Sequence, residues 1–307
     1  MTTSILSRSR LLAAALVCAT LSLHAFAQTA ANPSSLVPDA IRKSGKLRVG
    51  TSPTYPPLEF KDPMTQKLQG LDIDLTVEVA KRLGLQVEWS EQSFDQLINS
   101  LDTGRIDMGA SGMTDIPARR EKVDFVDYFS TGTQLFSMPD QAKGLNKVED
   151  VCGKDVAVNR NGIFFVRLQE FNKNVCVAHK LPEIKYSLTD KTADARLQII
   201  QGRVVAAAQG VDAIRYLNEF PKSPDKGAFV LIGQPIAVDL AGFGFAKTNP
   251  ALRDAVAQAL TLMIADGSYA RIFDAWALPY AKVQTVTINT QAVAATAAPV
   301  AKGAAGK

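Results

Sequence analysis

The residues best suited to chemistry lie between Gly104 and Phe129. The segment reads Gly104-Arg105-Ile106-Asp107-Met108-Gly109-Ala110-Ser111-Gly112-Met113-Thr114, and Arg119 follows Thr114 by five positions. A turn leads into a short apolar run that ends in small residues and a hydroxyl. Small residues such as Ser111 and Gly112 let a ligand approach the backbone closely. The Thr114 hydroxyl and free N–H groups can donate to a carboxylate, and an arginine fork can hold one through two parallel bonds. This spacing predicts a carboxylate-recognition site at the C-terminal end of a strand, where open α/β sheets bind ligands.

Such a site needs a frame, and the flanking pattern supplies one. Strands are predicted over 47–50, 85–89 and 106–110, and helices over 72–83 and 94–101. In the first helix Ile73, Val77 and Ala80 share a face and Gly84 is the stop. A second series starts at Cys152, with strands over 155–158, 183–186, 204–208, 229–232 and 242–246. Its helices are expected over 162–171, 192–201, 211–219, 250–266 and 269–277. Pro250 opens the long helix and Asn249 caps it. The alternation implies βαβ units and largely parallel pairing. Asp72 reads as a helix cap or a fixer of the preceding loop, and Asp124 and Asp127 as turn residues. Residues 281–307 are rich in Ala, Thr, Val and Lys without periodicity and read as a disordered tail.

Composition bounds the function. Residues 1–27 have a basic start (Arg8, Arg10), an apolar centre and the small-x-small string Ala25-Phe26-Ala27, which predicts a cleaved export signal. Removing it leaves 32 basic and 30 acidic residues, a net charge of +2. That balance, with no basic run interleaved with aromatics, argues against nucleic acid. No later segment is apolar for long enough to span a membrane. The exported chain keeps Cys152, Cys176 and His179. Two cysteines in an exported chain more often form a disulfide than a metal site, and the bridge would be worth roughly 3 kcal/mol. One histidine and no free thiol argue against metal, thiol or Ser-His chemistry. No cofactor fingerprint is present: Gly242-Phe243-Gly244 lacks the third glycine and the helix start of a dinucleotide site.

Over residues 47–278 the chain resembles the periplasmic solute-binding proteins, family 3, which serve polar amino-acid ABC importers. The resemblance rests on Tyr55-Pro56-Pro57-Leu58-Glu59-Phe60, Gly70-Leu71-Asp72-Ile73-Asp74, the Gly104–Asp107 and Gly112–Phe125 segments, Cys152-Gly153-Lys154, Gly202-Arg203, and Asp266-Gly267-Ser268-Tyr269 with Trp276, all in the family's order. It implies an α/β, two-lobed periplasmic-binding-protein fold of type II. Each lobe would be a mixed sheet flanked by helices, with two hinge crossings near 134–138 and 237–242. Lobe 1 would take 45–137 and 238–280, and lobe 2 138–237. A ligand between the lobes would hold them closed, and the closed, monomeric form would dock on a membrane permease.

By the same resemblance, Arg119 clamps a ligand α-carboxylate with Gly112 and Thr114. Tyr55 and Phe94 sandwich the ligand, and Ser111 offers its backbone or hydroxyl. Three departures bear on the ligand. The acid that the family usually carries eight residues after Gly202 is Gly210 here, so either Asp212 receives an α-ammonium or the ligand lacks one. Ser52 stands where many relatives have Asp, which disfavours Lys, Arg and His as ligands. Asn159-Arg160-Asn161-Gly162-Ile163 replaces the frequent Gly-Thr-Thr, and Arg160, if it faced the cleft, would suit a dicarboxylate. The expected function is periplasmic binding of an amino acid or related small carboxylate, with no catalytic residue, metal or cofactor. The alternatives are a binder of non-amino organic acids, a dehydratase-like enzyme on the same scaffold, and a sensor subunit.

Overall fold

Strand β1 (Lys46–Thr51) pairs in parallel with two neighbours and starts the first lobe. In the computed structural model the described residues are 32–220 and 225–292. The expected export signal and residues 293–307 lie outside them. In chain order the strands are β1, β2 (Thr54–Tyr55), β3 (Glu59–Lys61), β4 (Leu68–Gln69), β5 (Gln86–Glu91), β6 (Met108–Thr114), β7 (Val123–Ser137), β8 (Asp155–Asn159), β9 (Lys185–Thr189), β10 (Ala206–Gly210), β11 (Val230–Ala246), β12 (Lys282–Ile288) and β13 (Gln291–Ala292). The helices are α1 (Asp39–Ser44), α2 (Leu71–Leu83), α3 (Phe94–Asp102), α4 (Pro117–Arg120), α5 (Ile163–Phe171), α6 (Thr192–Ile200), α7 (Val211–Glu219), α8 (Pro250–Ala265) and α9 (Ser268–Ala275).

The large sheet runs β5-β1-β6-β11-β7-β10-β8-β9. Its two ends are parallel: β5, β1 and β6 in one lobe, and β9, β8 and β10 in the other. The long strands β7 and β11 run antiparallel through the middle and belong to both lobes. These are the two crossings of a two-lobed binding fold. Period-2 alternation builds a core on each face of the second lobe. Val156, Val158, Ala206 and Ala208 face one cluster, while Ala157 and Ala207 face the other.

Some elements differ from the sequence reading. The buried face of α2 is Leu71, Ile73, Leu75, Val79, Ala80 and Leu83, and Val77 points to solvent. Asp72 does not cap α2, whose N-cap is Gly70. Its carboxylate accepts from Gly112 N (2.8 Å) and Tyr128 Oη (2.5 Å) and so ties α2 to β6 and β7. The two strands expected over 229–232 and 242–246 are one strand, β11. It is irregular between Ile232 and Ala237, where Gly233 takes a φ of +60° and Pro235 has no N–H to give.

Asp124 and Asp127 are not turn residues but part of β7. Their apolar neighbours Val123 and Phe125 pack on one face, Val126 and Tyr128 on the other. The segment expected to open a disordered tail at Ala281 instead supplies the partners these carboxylates need. Strand β12 pairs with β7, Asn289 Nδ2 donates to Asp124 Oδ1 (2.9 Å), and Thr287 Oγ1 donates to Asp127 Oδ2 (2.7 Å). Arg253 and Lys247 also contact Asp124 and hold its carboxyl below the usual range against the cost of burial. Behind them Asp115 contacts Arg120 Nε (2.9 Å) and faces Asp127. Burial first, then the neighbouring Asp127 carboxyl, pushes Asp115 up to about 7, and burial also raises Asp127.

The folded chain therefore retains protons on this pair at pH values where the unfolded chain has lost them. Their contribution to stability is full below the ordinary carboxylate range and is lost as pH rises through about 7. The melting temperature is expected to fall between about pH 4 and 7, and Asp115→Asn to flatten that fall; an equal slope in the variant would rule out the pair as its source.

Cys152 and Cys176 are bonded, with Cα atoms 5.6 Å apart, and join the turn after Val151 to the helical segment Asn172–Val177 that follows α5. A separation of 24 residues is worth roughly 3.5 kcal/mol in the chain-entropy model. Reduction should lower the melting temperature by roughly 10 °C, since a domain of this size moves by about 2–4 °C per kcal/mol. Finding two free thiols in the unreduced protein would refute the bond.

Candidate functional site

Between the lobes lies a cleft of about 740 Å³, within the usual range for a small-molecule site of about 300–1,000 Å³. Lobe 1 contributes Ser52, Tyr55, Glu59, Phe94, Ser111, Gly112, Thr114 and Arg119. Lobe 2 contributes Asn159, Asn161, Ile163, Phe164 and Asp212, and Thr131 of β7 lines it at the crossing. Seven of the eight residues predicted to bind ligand are therefore brought together.

Arg119 sits on the one-turn helix α4, which Pro117 starts just beyond the end of β6. Its Nη1 donates to the Thr114 carbonyl (2.9 Å), and its Cζ lies 5.1 Å from the centre of the Phe94 ring. Its interactions with Asp95 and Asp239 do not offset burial, which lowers the guanidinium to about 10. It remains a cation at neutral pH with capacity left for an anion.

Gly112 has a φ of +51°, and a side chain there would stand 2.7 Å from Leu58 Cδ1. Its N–H is committed to Asp72, so it gives the ligand space rather than a hydrogen bond. Ser111 is also committed: its hydroxyl donates to Glu59 Oε1 (2.9 Å) and accepts from Ser52 N (3.1 Å). Glu59 lies near the cleft by its place in the sequence and follows the family's ordinary pattern, which gives no sign of its burial. It is 2% exposed, and its Oε2 has no hydrogen-bond partner. Burial, reinforced by Asp72, pushes it well above the carboxylate range, toward the neutral form.

On the other side, Asp212 stands in the first turn of α7 and is 1% exposed. Its Oδ1 accepts from Thr131 Oγ1 (2.5 Å), while its Oδ2 is buried without a partner. Burial raises its pKa, and its hydrogen bonds only partly oppose this. Gly210 explains why no acid stands there: a Cβ would lie 2.4 Å from the Tyr55 hydroxyl and 2.7 Å from Asp212 Oδ1. The absent side chain lets Tyr55 of lobe 1 reach into lobe 2. The Tyr55 ring faces Phe164 of α5, with centroids 6.4 Å apart and planes 23° apart.

Arg160 does not join the cleft. Its N–H donates to the Thr189 carbonyl, its Nε pairs with Asp190 Oδ1 (2.9 Å), and its side chain is half-exposed. These bonds turn it to a shallow polar surface with Gln198 and Arg203 on lobe 2. The second cation that would have favoured a dicarboxylate is absent from the cleft wall.

Residues 47–279 match the family of bacterial extracellular solute-binding proteins, family 3, and the chain belongs to it. It is similar to an arginine-binding protein of Corynebacterium glutamicum, with 31% identity over 258 residues, covering 84% of this chain and 82% of the relative. An L-cystine-binding protein of Bacillus subtilis is 31% identical over 241 residues, covering 77% and 83%. Among solved structures, an ancestral amino acid-binding protein described as a precursor of cyclohexadienyl dehydratase matches with a TM-score of 0.67 and 31% identity, over 79% of this chain and 99% of that one. An ancestral arginine-binding protein bound to arginine matches at 0.63 and 31%, over 76% and 98%. The family consists mainly of binding proteins rather than enzymes. Among the described residues, no helix is long and apolar enough to cross a membrane.

Proposed function

We propose that this protein is the periplasmic binding component of an ABC importer and takes an amino acid by its two charged ends. The carrying observation is that Arg119 and Asp212, one from each lobe, line one cleft. Arg119 has capacity left, and Asp212 has a buried oxygen without a partner. A zwitterion satisfies both, and contact with both lobes favours the closed form. Lobe 1 then comprises residues 45–137 and 238–280, extended by β12, and lobe 2 comprises 138–237. The protein is exported, acts as a monomer and delivers its ligand to a membrane permease.

The test is a thermal-shift screen of the purified protein with amino acids, their deaminated analogues and dicarboxylates. A ligand at 100 times its dissociation constant stabilises by about 2.7 kcal/mol, which is readily seen. Shifts with amino acids alone support the reading. Shifts with deaminated acids or dicarboxylates alone replace it with an organic-acid binder.

One observation favours a second reading. Glu59 is a buried carboxyl held toward its acid form in the cleft, and a general acid is what a dehydratase-like activity would need. Recovery of the bound ligand unchanged after prolonged incubation would dismiss it.

A further inference from the structure

The charges lining the cleft leave few partners for a ligand side chain. Glu91 is paired with Lys61 Nζ (2.7 Å), and Asp190 with Arg160 (2.9 Å). Glu59 accepts from Ser111 and is driven toward neutrality by burial. Asp95 and Lys191 line the rim, but both are exposed, where water and salt screen them. Arg119 and Asp212 remain, and the two ends of an amino acid occupy both. A second positive or negative charge on the ligand would enter the interior without a counter-ion, which is costly.

The walls around that charge pair are apolar and aromatic. Tyr55, Leu58 and Phe94 stand on lobe 1, and Ile163 and Phe164 on lobe 2. Phe164 is fixed in the first turn of α5, and Tyr55 in the short strand β2, so their facing rings belong to different lobes. The two rings pack on each other, 6.4 Å apart, and form one continuous aromatic wall across the lobes against which a flat apolar side chain can lie.

Resting on the reading above, we propose that the side-chain pocket selects uncharged aromatic amino acids, and that Phe164 is the lobe 2 residue that sets this preference. Tyr55 alone cannot do so, because a single ring accepts a guanidinium or an aliphatic chain as readily. Phe164 extends the apolar wall onto lobe 2, and Glu59, which accepts from Ser111 and is held toward its neutral form by burial, gives a cationic side chain no full counter-charge.

Isothermal titration of the purified protein with L-phenylalanine, L-leucine, L-alanine, L-arginine and 3-phenylpropionate tests this. Phenylalanine should bind at least about tenfold more tightly than alanine or arginine, the discrimination typical of an apolar pocket. Phe164→Ala should lower phenylalanine affinity about tenfold or more while alanine affinity changes by less than about twofold. Phe164→Leu keeps the apolar bulk and guards against misfolding of the alanine variant; in it the preference of phenylalanine over leucine should shrink. Arginine binding most tightly, or either Phe164 variant weakening every amino acid equally, overturns the inference but leaves amino-acid binding intact. Binding of 3-phenylpropionate alone overturns the parent reading instead.

Discussion

Replacing Arg119 by alanine is expected to lower ligand affinity by about 100- to 4,000-fold with little change in the unliganded fold. A charge-assisted hydrogen bond contributes about 1.5–3 kcal/mol, and a guanidinium can make two to one carboxylate. Removing the arginine also leaves the ligand carboxylate buried without a counter-ion, which raises the loss toward about 3–5 kcal/mol. The fold has less at stake. Arg119 gives one hydrogen bond, to the Thr114 carbonyl, and packs over Phe94. Burial already lowers its pKa to about 10, so its charge is a cost to the unliganded protein rather than a support. The melting temperature without ligand should be unchanged or slightly raised. Arg119→Lys keeps the charge but loses the planar fork, and should fall between the two. Titration calorimetry beside thermal melts reads both effects. Wild-type affinity in the alanine variant would refute the carboxylate site.

What the sequence made visible was whatever depends on neighbours in the chain. The order of strands and helices, the caps, and the placing of Thr114 and Arg119 just past a strand are local patterns. Strand β7 was hidden because Asp124 and Asp127 interrupt its apolar run, and the residues that satisfy them lie 123 to 165 positions away. Thr290 N, for instance, donates to Asp127 across 163 residues. The same distance hid β12, whose threonines and valines have no evident purpose until β7 lies beside them. In the site, the type of residue was legible but its direction was not. Arg160 and Arg119 look alike as sequence. One is drawn outward by Asp190 and Thr189, and the other is held inward by the Thr114 carbonyl and the Phe94 ring. Phe164 was missed for a related reason, since a cleft wall is assembled from both lobes, and Glu59, near the cleft by its place in the sequence, does not announce its burial there.

Asp212→Asn should produce the other large effect. The amide can still accept from Thr131, so the start of α7 keeps its tie to the hinge strand while the negative charge is lost. Affinity for amino acids is expected to fall about 100-fold or more, because an ammonium taken out of water needs a full counter-charge. A carboxylic acid lacking the ammonium, such as 3-phenylpropionate, should lose nothing, which separates a lost charge from a distorted site. The pH profile gives an independent sign. Burial raises the Asp212 pKa above its ordinary value, and a bound ammonium opposes that rise. Binding in the wild type therefore releases a proton where the free carboxyl is still protonated, and affinity falls as pH falls through the raised value. The asparagine variant should show no such decline. Stability without ligand moves the other way. A carboxyl with a raised pKa contributes fully below the unfolded-chain value and loses that contribution as pH rises through the folded one. At neutral pH the variant should melt no lower than the wild type. Weaker binding with an unchanged pH profile would mean that some other carboxylate meets the ammonium, and Glu59, the other buried acid of the cleft with a partnerless oxygen, would be the next to replace.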